Sequence, residues 1–227
     1  MDISELSQIV FPVIGYRNSE YLFLGNGFFL ENPNTFITAA HILKDKAIVC
    51  EKFYYMPNGC LLPLIPVSDN LIYDPKPENS LPIFKDLAIF KTENPFNKYL
   101  HLGSIQITRN SSLVCTGFHE PLSTLETPLP IGINAIPDIS RLEFEQYSLN
   151  VSHPQKADIK FKQHEHIDND LVYTNCFDCD GGIASGISGS PILDTESGFQ
   201  GMAICSNNKL SIFLQPEYIC FMLIHYK

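Results

Sequence analysis

The sequence predicts an all-β protein, either a barrel or a sandwich, and three observations support this fold class. Short apolar runs rich in β-branched and aromatic residues recur along most of the chain. Turn-forming clusters such as ENPN (31–34), MPNG (56–59) and DPKPENS (74–80) separate these runs. Sixteen prolines and thirteen glycines would interrupt most long helices.

Each apolar run is predicted as a strand. In chain order the runs are residues 9–16, 21–30, 35–43, 47–50, 87–91, 112–118, 142–151, 157–162, 170–175, 190–194, 201–205 and 210–215. The cluster NVSHPQ (150–155) is predicted as a turn between two of them. One helix is predicted near the end of the chain, at residues 217–225 after Pro216, packed onto the body of the protein.

Composition narrows the function classes. With 227 residues, 44% hydrophobic and 18% charged, the chain is long and apolar enough for a substantial core. A net charge of −10 without a run of Lys or Arg argues against nucleic acid as a partner. We expect no membrane partner, because no segment approaches 18 uninterrupted apolar residues.

Cysteine usage and the first residues bear on the compartment. The chain has seven cysteines, an odd number, and four of them lie inside apolar runs, as reduced core thiols do: Cys50, Cys115, Cys205 and Cys220. The first residues show no basic lead and no cleavage pattern of a secretory signal. We therefore expect a reducing, cytoplasmic location.

The stretch GISGSP (186–191) presents Ser188 on a glycine-rich bend. Acyl transfer by serine needs a hydroxyl, an imidazole that accepts its proton, a carboxylate that orients the imidazole, and backbone N–H donors for the oxyanion. Glycines allow the tight turn that aims successive N–H groups into one concavity. By itself this stretch fits a Gly/Ser turn equally well.

His41 and Asp86 supply the two other parts of such a site. His41 lies in TFITAAHIL (35–43), and Asp86 opens the apolar run DLAIF (86–90). Each residue alone could be structural, as a core histidine or a turn residue. An α/β-hydrolase fits less well, because its order places histidine after serine and only His225 lies there. A cysteine protease would need a thiol in place of Ser188.

Taken in order, five motifs of this chain resemble the trypsin-like serine peptidases, particularly their bacterial and organelle branch. The motifs are GNGFFL (25–30), TFITAAHIL, DLAIFKT (86–92), GISGSPIL (186–193) and GMAICS (201–206). The resemblance implies two antiparallel six-stranded β-barrels and an activity that needs no cofactor. The first barrel, residues 1–105, would contain His41 and Asp86; the second, residues 106–227, would contain Ser188. The boundary falls in the polar, proline-bearing stretch 92–109.

The resemblance also implies roles for single residues. Ser188 would attack the scissile carbonyl, His41 would move the proton, and Asp86 would orient His41. The backbone N–H groups of Gly186 and Ser188 would form the oxyanion hole. Secreted digestive members have an aspartate directly before the nucleophile, which pairs with a new N-terminal ammonium; here that residue is Ile187. The loop must then be ordered by its own packing, by substrate, or by a regulatory protein partner.

The substrate pocket is also placed by resemblance. Its expected residues are Gly182, Ile204, Cys205, Ser206, Ser211 and Phe213. Gly182 lies near the position of the acidic residue that selects lysine or arginine, and Ala203 replaces the histidine of a glutamate-selective subgroup. Asp178 and Asp180 lie just upstream, where a shift of the chain could bring in a carboxylate. We expect a preference for a small or apolar side chain before the cleaved bond.

A metal site is the remaining possibility raised by residue types. Cys176, Cys179, His164 and His166 together offer two thiols and two imidazoles, a set that zinc can bind. The HxH spacing is not diagnostic, and a solvated loop with free or paired thiols fits as well. No metal is assigned.

Two functions from different classes follow. The first is a serine endopeptidase that hydrolyses protein or peptide substrates through a Ser-His-Asp triad and an acyl-enzyme, with or without activation by a partner or effector. The second is a catalytically inactive peptide-binding module of the same fold.

Overall fold

The computed structural model describes the greater part of the chain. The described residues are 3–44, 50–67, 86–102, 111–120, 130–133, 137–161, 171–180, 182–194, 196, 198–206 and 210–225. Their architecture is two antiparallel β-sheets, one of them a closed barrel, with a short helix at the C-terminal end. The predicted fold class is therefore confirmed.

The first sheet contains eight strands. They are β1 (Val10–Arg17), β2 (Glu20–Phe29), β3 (Thr35–Thr38), β4 (Lys52–Tyr55), β5 (Leu62–Pro63), β6 (Ile65–Pro66), β7 (Ala88–Lys91) and, from later in the chain, a strand at Pro130–Ile133. The order is β5-β4-β1-β2-β3-β7-β6, and the later strand pairs with β2. The described part of this sheet thus has two strands more than the six expected; β5 and β6 are only two residues long, and the later strand comes from beyond residue 105.

The second sheet closes into a barrel of six strands, as expected. They are β8 (Ser112–His119), β10 (Glu143–Phe161), β11 (Leu171–Asp180), β12 (Pro191–Asp194), β13 (Phe199–Ser206) and β14 (Leu210–Leu214). The number β9 belongs to the strand at Pro130–Ile133, which is part of the first sheet. The barrel order is β10-β11-β14-β13-β12-β8.

One predicted turn is wrong. NVSHPQ (150–155) lies within the long strand β10, which runs through it and joins two runs that were predicted as separate strands. The pairing of β10 with β11 shifts register between Val151 and His153 and again between His153 and Ala157. Such bulges release a residue from the ladder, which is how a strand tolerates a proline such as Pro154.

The described ranges contain three α-helices, α1 (Ile3–Leu6), α2 (His41–Lys44) and α3 (Pro216–His225), and one 3-10 helix at Pro57–Gly59. Helix α3 confirms the predicted C-terminal helix, and its Ile219 and Met222 are buried in the larger core. Within the described ranges, no helix has the length and hydrophobicity that crossing a bilayer requires.

The larger hydrophobic core joins the two sheets. Phe28, Phe36 and Phe90 of the first sheet belong to the same buried cluster as Phe199 and Met202 of the barrel. A second cluster fills the barrel itself and consists of Leu113, Cys115, Leu149, Val151, Cys179, Ile187, Ile192, Ala203 and Phe213. Because the sheets share a core, residues at their junction are held in fixed relative positions.

Candidate active site

His41 and Asp86 are brought together by the pairing of β3 with β7. The last paired residues of these antiparallel strands are Thr38 and Ala88. The chain leaves β3 after Thr38 and begins α2 at His41, and it enters β7 just after Asp86. Antiparallel pairing places the end of one strand beside the start of the other, so His41 and Asp86 meet at this edge.

The Asp86 carboxylate makes two hydrogen bonds to His41. Oδ2 lies 2.7 Å from the imidazole Nδ1, and Oδ1 accepts the main-chain N–H of His41 at 2.8 Å. Asp86 is 2% exposed, whereas the His41 side chain is 34% exposed. The carboxylate therefore fixes both the backbone and the ring of a histidine that remains accessible to solvent.

Ser188 lies in the bend that precedes β12 and is half-buried. Its carbonyl accepts the main-chain N–H of Asn26 at 2.8 Å, which ties the bend to β2 of the first sheet. A Cβ added to Gly25 would lie 2.8 Å from that carbonyl and 3.1 Å from Ile42 of α2. Ser188 is thus beside the helix that His41 begins.

The Ser188 hydroxyl has a main-chain partner in this structure. It donates a hydrogen bond to the main-chain carbonyl of Ile204 at 2.9 Å, and among the described residues this is its partner. To donate its proton to an imidazole, the hydroxyl has to give up this bond, since it carries a single O–H donor.

Residues 186–189 are here named the oxyanion loop, after the role that the resemblance implies for them. Gly186 has φ of +94° and Gly189 has φ of +83°, conformations that favour glycine. Within the described ranges, no protein group accepts a hydrogen bond from the amides of Gly186 or Ser188. These are the two donors expected for an oxyanion hole.

Packing orders the loop from inside. Ile187 is fully buried in the barrel core, and its carbonyl accepts the N–H of Ser190 at 3.0 Å. The N–H of Gly189 donates to the carbonyl of Ala203 at 2.8 Å. An apolar residue at position 187 therefore stabilises the loop through the core, where a carboxylate would need a cation.

Asn26 is the residue at this site that the sequence reading missed. Its side-chain Nδ2 donates to the carbonyls of Phe118 (2.9 Å) and Gly186 (2.8 Å), and its Oδ1 accepts the N–H of Phe118 at 2.8 Å. Its carbonyl accepts the Thr38 hydroxyl at 2.5 Å. The sequence showed Asn26 only as the middle of GNG, and no side-chain pattern marks a bond to a distant main-chain carbonyl.

Two further polar side chains, those of His119 and Glu145, lie next to the oxyanion loop. His119 is largely buried, with Nε2 3.0 Å from Glu145 Oε2, and a Cβ on Gly186 would lie 3.7 Å from His119 Cβ. The Tyr147 hydroxyl donates to the same carboxylate oxygen at 2.5 Å. Burial, and then the bond to Glu145, raises the pKa of Tyr147, which keeps its hydroxyl protonated at neutral pH.

The expected pocket residues are placed unequally. Gly182 is exposed, whereas Ile204, Ser211 and Phe213 are buried and their side chains belong to the interior. The backbone of Cys205 and Ser206 continues β13 after Ile204, and their side chains lie outside the described part. Any pocket here would be lined by the main chain of β13 rather than by these buried side chains.

The structure argues against zinc at the C-x-x-C pair. Cys176 and Cys179 both lie in β11, in continuous register with β14. Three residues of extended strand span about 10 Å, whereas a chelating pair lies on a turn. Cys179 is also fully buried in the barrel core. His164 and His166 lie outside the described residues.

No protein-family model and no curated protein sequence matches the chain. Solved structures do match. The active form of the Rv3671c protease from M. tuberculosis has a TM-score of 0.63 and 11% identity, over 98% of this chain and 82% of that one. Its inactive form gives 0.64 and 12%, over 99% and 91%. The MamO protease domain from Magnetospirillum magneticum gives 0.61 and 12%, over 96% of each chain.

The chain therefore has the fold of trypsin-like serine proteases. At identities of 11–12% this likeness concerns the fold, and function has to be argued from the site itself.

Proposed function

We propose that the protein is a serine endopeptidase that hydrolyses peptide bonds through Ser188, His41 and Asp86 and an acyl-enzyme intermediate. The observation that supports this most strongly is the bond between Asp86 Oδ2 and His41 Nδ1. A carboxylate at that nitrogen holds the imidazole proton on Nδ1, so Nε2 is the basic nitrogen. A histidine held in this way is a general base for a neighbouring hydroxyl.

The reaction follows from these positions. Ser188 Oγ gives up its bond to Ile204, donates its proton to His41 Nε2, and attacks the scissile carbonyl carbon. The oxyanion that forms is stabilised by the amides of Gly186 and Ser188. His41 then protonates the leaving amine, and a water molecule, activated by the same nitrogen, hydrolyses the acyl-enzyme. The charge of the imidazolium is balanced by Asp86 throughout.

Specificity follows from the chemistry around the loop. No acidic residue occupies the sequence positions 182–188, so a lysine or arginine before the cleaved bond has no partner there. We propose substrates with a small or apolar residue at this position, within a protein or peptide chain. If the pure protein shows no activity, we expect that a regulatory partner activates it.

A second function has one observation in its favour. The Ser188 hydroxyl is engaged with the carbonyl of Ile204, as it would be in a module that binds peptides without cleaving them. The two functions differ in whether this hydroxyl can be made to react.

A fluorophosphonate probe tests the difference, because it reacts with a serine only when base and oxyanion donors are in place. We expect the pure protein to be labelled at neutral pH and the Ser188→Ala and His41→Ala variants to remain unlabelled. Labelling of wild type only after addition of cell lysate would indicate an activating partner. Absence of labelling in both settings would favour the inactive binding module.

A further inference from the structure

We propose that Asn26 is a positioning residue that holds the oxyanion loop in its donor-competent conformation. The loop is then assembled by a buried amide from the first sheet, without a partner and without a new N-terminal ammonium. This inference rests on the proposed function, since it concerns the donors of the same site.

All polar atoms of the Asn26 side chain are used. Its two N–H groups donate to the carbonyls of Phe118 and Gly186, and its oxygen accepts the Phe118 N–H. The residue is fully buried. An amide offers two donors and one oxygen, so no smaller or singly donating side chain reproduces this set.

Asn26 contacts the loop on both sides of the Ser188 N–H. Its side chain holds the carbonyl of Gly186, and its main-chain N–H holds the carbonyl of Ser188. Between these two anchors, the Ile187 carbonyl is fixed by the N–H of Ser190. Because a trans peptide is planar, the Ser188 N–H must point opposite to that carbonyl, away from Ser190. Turning the loop out of this conformation would break the Asn26 bonds.

Close packing leaves Asn26 little freedom to move. A Cβ on Gly117 would lie 3.1 Å from the side-chain Cγ of Asn26, and a Cβ on Gly189 would collide with the Asn26 carbonyl. The Thr38 hydroxyl fixes that carbonyl from the strand beside it. The amide is therefore a rigid link between β2, β8 and the oxyanion loop.

A purely structural role is the rival explanation, because Asn26 also joins the first sheet to the barrel. Loss of the amide would leave the carbonyl of Gly186 and both main-chain groups of Phe118 without partners, which destabilises any fold. The test must therefore measure reactivity per folded molecule.

The test compares Asn26→Asp with Asn34→Asp in the full chain. Both asparagines donate through Nδ2 to a main-chain carbonyl, and Asn34 does so to Thr92 at 3.0 Å, away from the loop. The aspartate is isosteric, and in place of two N–H donors it offers none when ionised and a single O–H when protonated. The measurements are the second-order rate of fluorophosphonate labelling, corrected for the folded fraction, and kcat and KM on an activated peptide ester.

We expect Asn26→Asp to be labelled at least about tenfold more slowly, approaching the roughly 100-fold loss seen when an oxyanion donor is deleted. The loss should fall on kcat with little change in KM, and Asn34→Asp should behave as wild type. If the buried carboxylate prevents folding, Asn26→Ser replaces it.

The outcomes are distinguishable. A folded Asn26 variant that melts at lower temperature but is labelled at the wild-type rate would overturn the inference and leave the proposed function intact. A wild-type protein that is never labelled would overturn the proposed function itself.

Discussion

The acid–base pair and the oxyanion loop are held in place by different means. His41 follows β3 and Asp86 precedes β7, two adjacent strands of one sheet. Two hydrogen bonds from His41 to the Asp86 carboxylate fix the pair. The oxyanion loop is fixed from three directions: by Asn26 of the first sheet, by Ala203 of β13, and by burial of Ile187 in the barrel. The pair depends on one carboxylate, whereas the loop depends on several contacts together: the Asn26 amide, a main-chain bond to Ala203 and the burial of Ile187.

This difference predicts how substitutions in each region should affect activity and stability. Loss of the carboxylate should abolish the chemistry while the fold survives, because His41 is the one residue in the described ranges to which the Asp86 side chain is hydrogen-bonded. Changes in the loop should reduce stability and reactivity together, because the same contacts support both. The predictions that follow test this contrast.

The largest effect is expected from Asp86→Asn. An amide can donate to His41 Nδ1 and so places the imidazole proton on Nε2, where it blocks general-base catalysis; kcat should fall roughly 10⁴-fold. Thermal melting should change little. Asp138→Asn is the matched control, because Asp138 also accepts a main-chain N–H, that of Ser140, in an exposed turn. Full activity in Asp86→Asn would mean that His41 is not the base.

Ile187→Asp should be the most damaging change to the loop. It places a carboxylate where Ile187 is fully buried, at a cost of about 3–5 kcal/mol in the free energy of unfolding at pH 7. Burial raises the folded-state pKa of such a carboxyl, so the deficit should shrink as the pH is lowered toward about 4. Ile187→Val should cost about 1 kcal/mol. Chemical denaturation at several pH values measures both, and a deficit that grows in acid would contradict the burial.

Comparison of Gly189→Ala with Gly59→Ala separates the cost of close packing from the cost of backbone strain. Gly189 has φ of +83°, and its added Cβ would collide with the Asn26 carbonyl and approach the Thr38 hydroxyl. We expect a loss of about 3 kcal/mol, together with slower fluorophosphonate labelling. Gly59→Ala is the control, since Gly59 has φ of +76° and nothing within 4 Å; it should cost about 1 kcal/mol. Equal losses would show that the loop is not tightly packed.

Thr38→Val should give the smallest effect. It removes the hydroxyl that donates to the Asn26 carbonyl and should cost about 1 kcal/mol, with a modest fall in labelling rate. Thr92→Val removes a comparable bond, to the carbonyl of Asn94, at the end of the β3–β7 pair opposite to Thr38. It should cost as much stability without changing the labelling rate. A slower rate in both variants would assign the effect to stability alone.

The sequence predicted the parts of the site that residue types reveal. His41, Asp86 and Ser188 each have chemistry that selects them, and their motifs lie in a recognisable order. Asn26 could not be found in this way, because its partners are main-chain carbonyls, which are the same in every sequence. Its contact with Gly186 spans 160 residues, and only the tertiary structure brings the two together.

The same physical reason limits the prediction of the fold. Short apolar runs between turn residues indicated a β protein and its barrel, because burial enforces such patterns. They did not indicate that β10 passes through NVSHPQ, since register shifts opposite β11 absorb the proline and depend on the partner strand. They also did not place β9 in the first sheet, where it pairs with β2.

The most direct test of the central claim is cleavage of a defined peptide library by the pure protein, followed by mass spectrometry, with Ser188→Ala as the blank. We expect internal cleavages that are absent from the blank and that cluster after small or apolar residues. A library that wild type leaves as intact as Ser188→Ala does would contradict the proposed hydrolysis, and peptides that nevertheless copurify with both proteins would favour the inactive binding module.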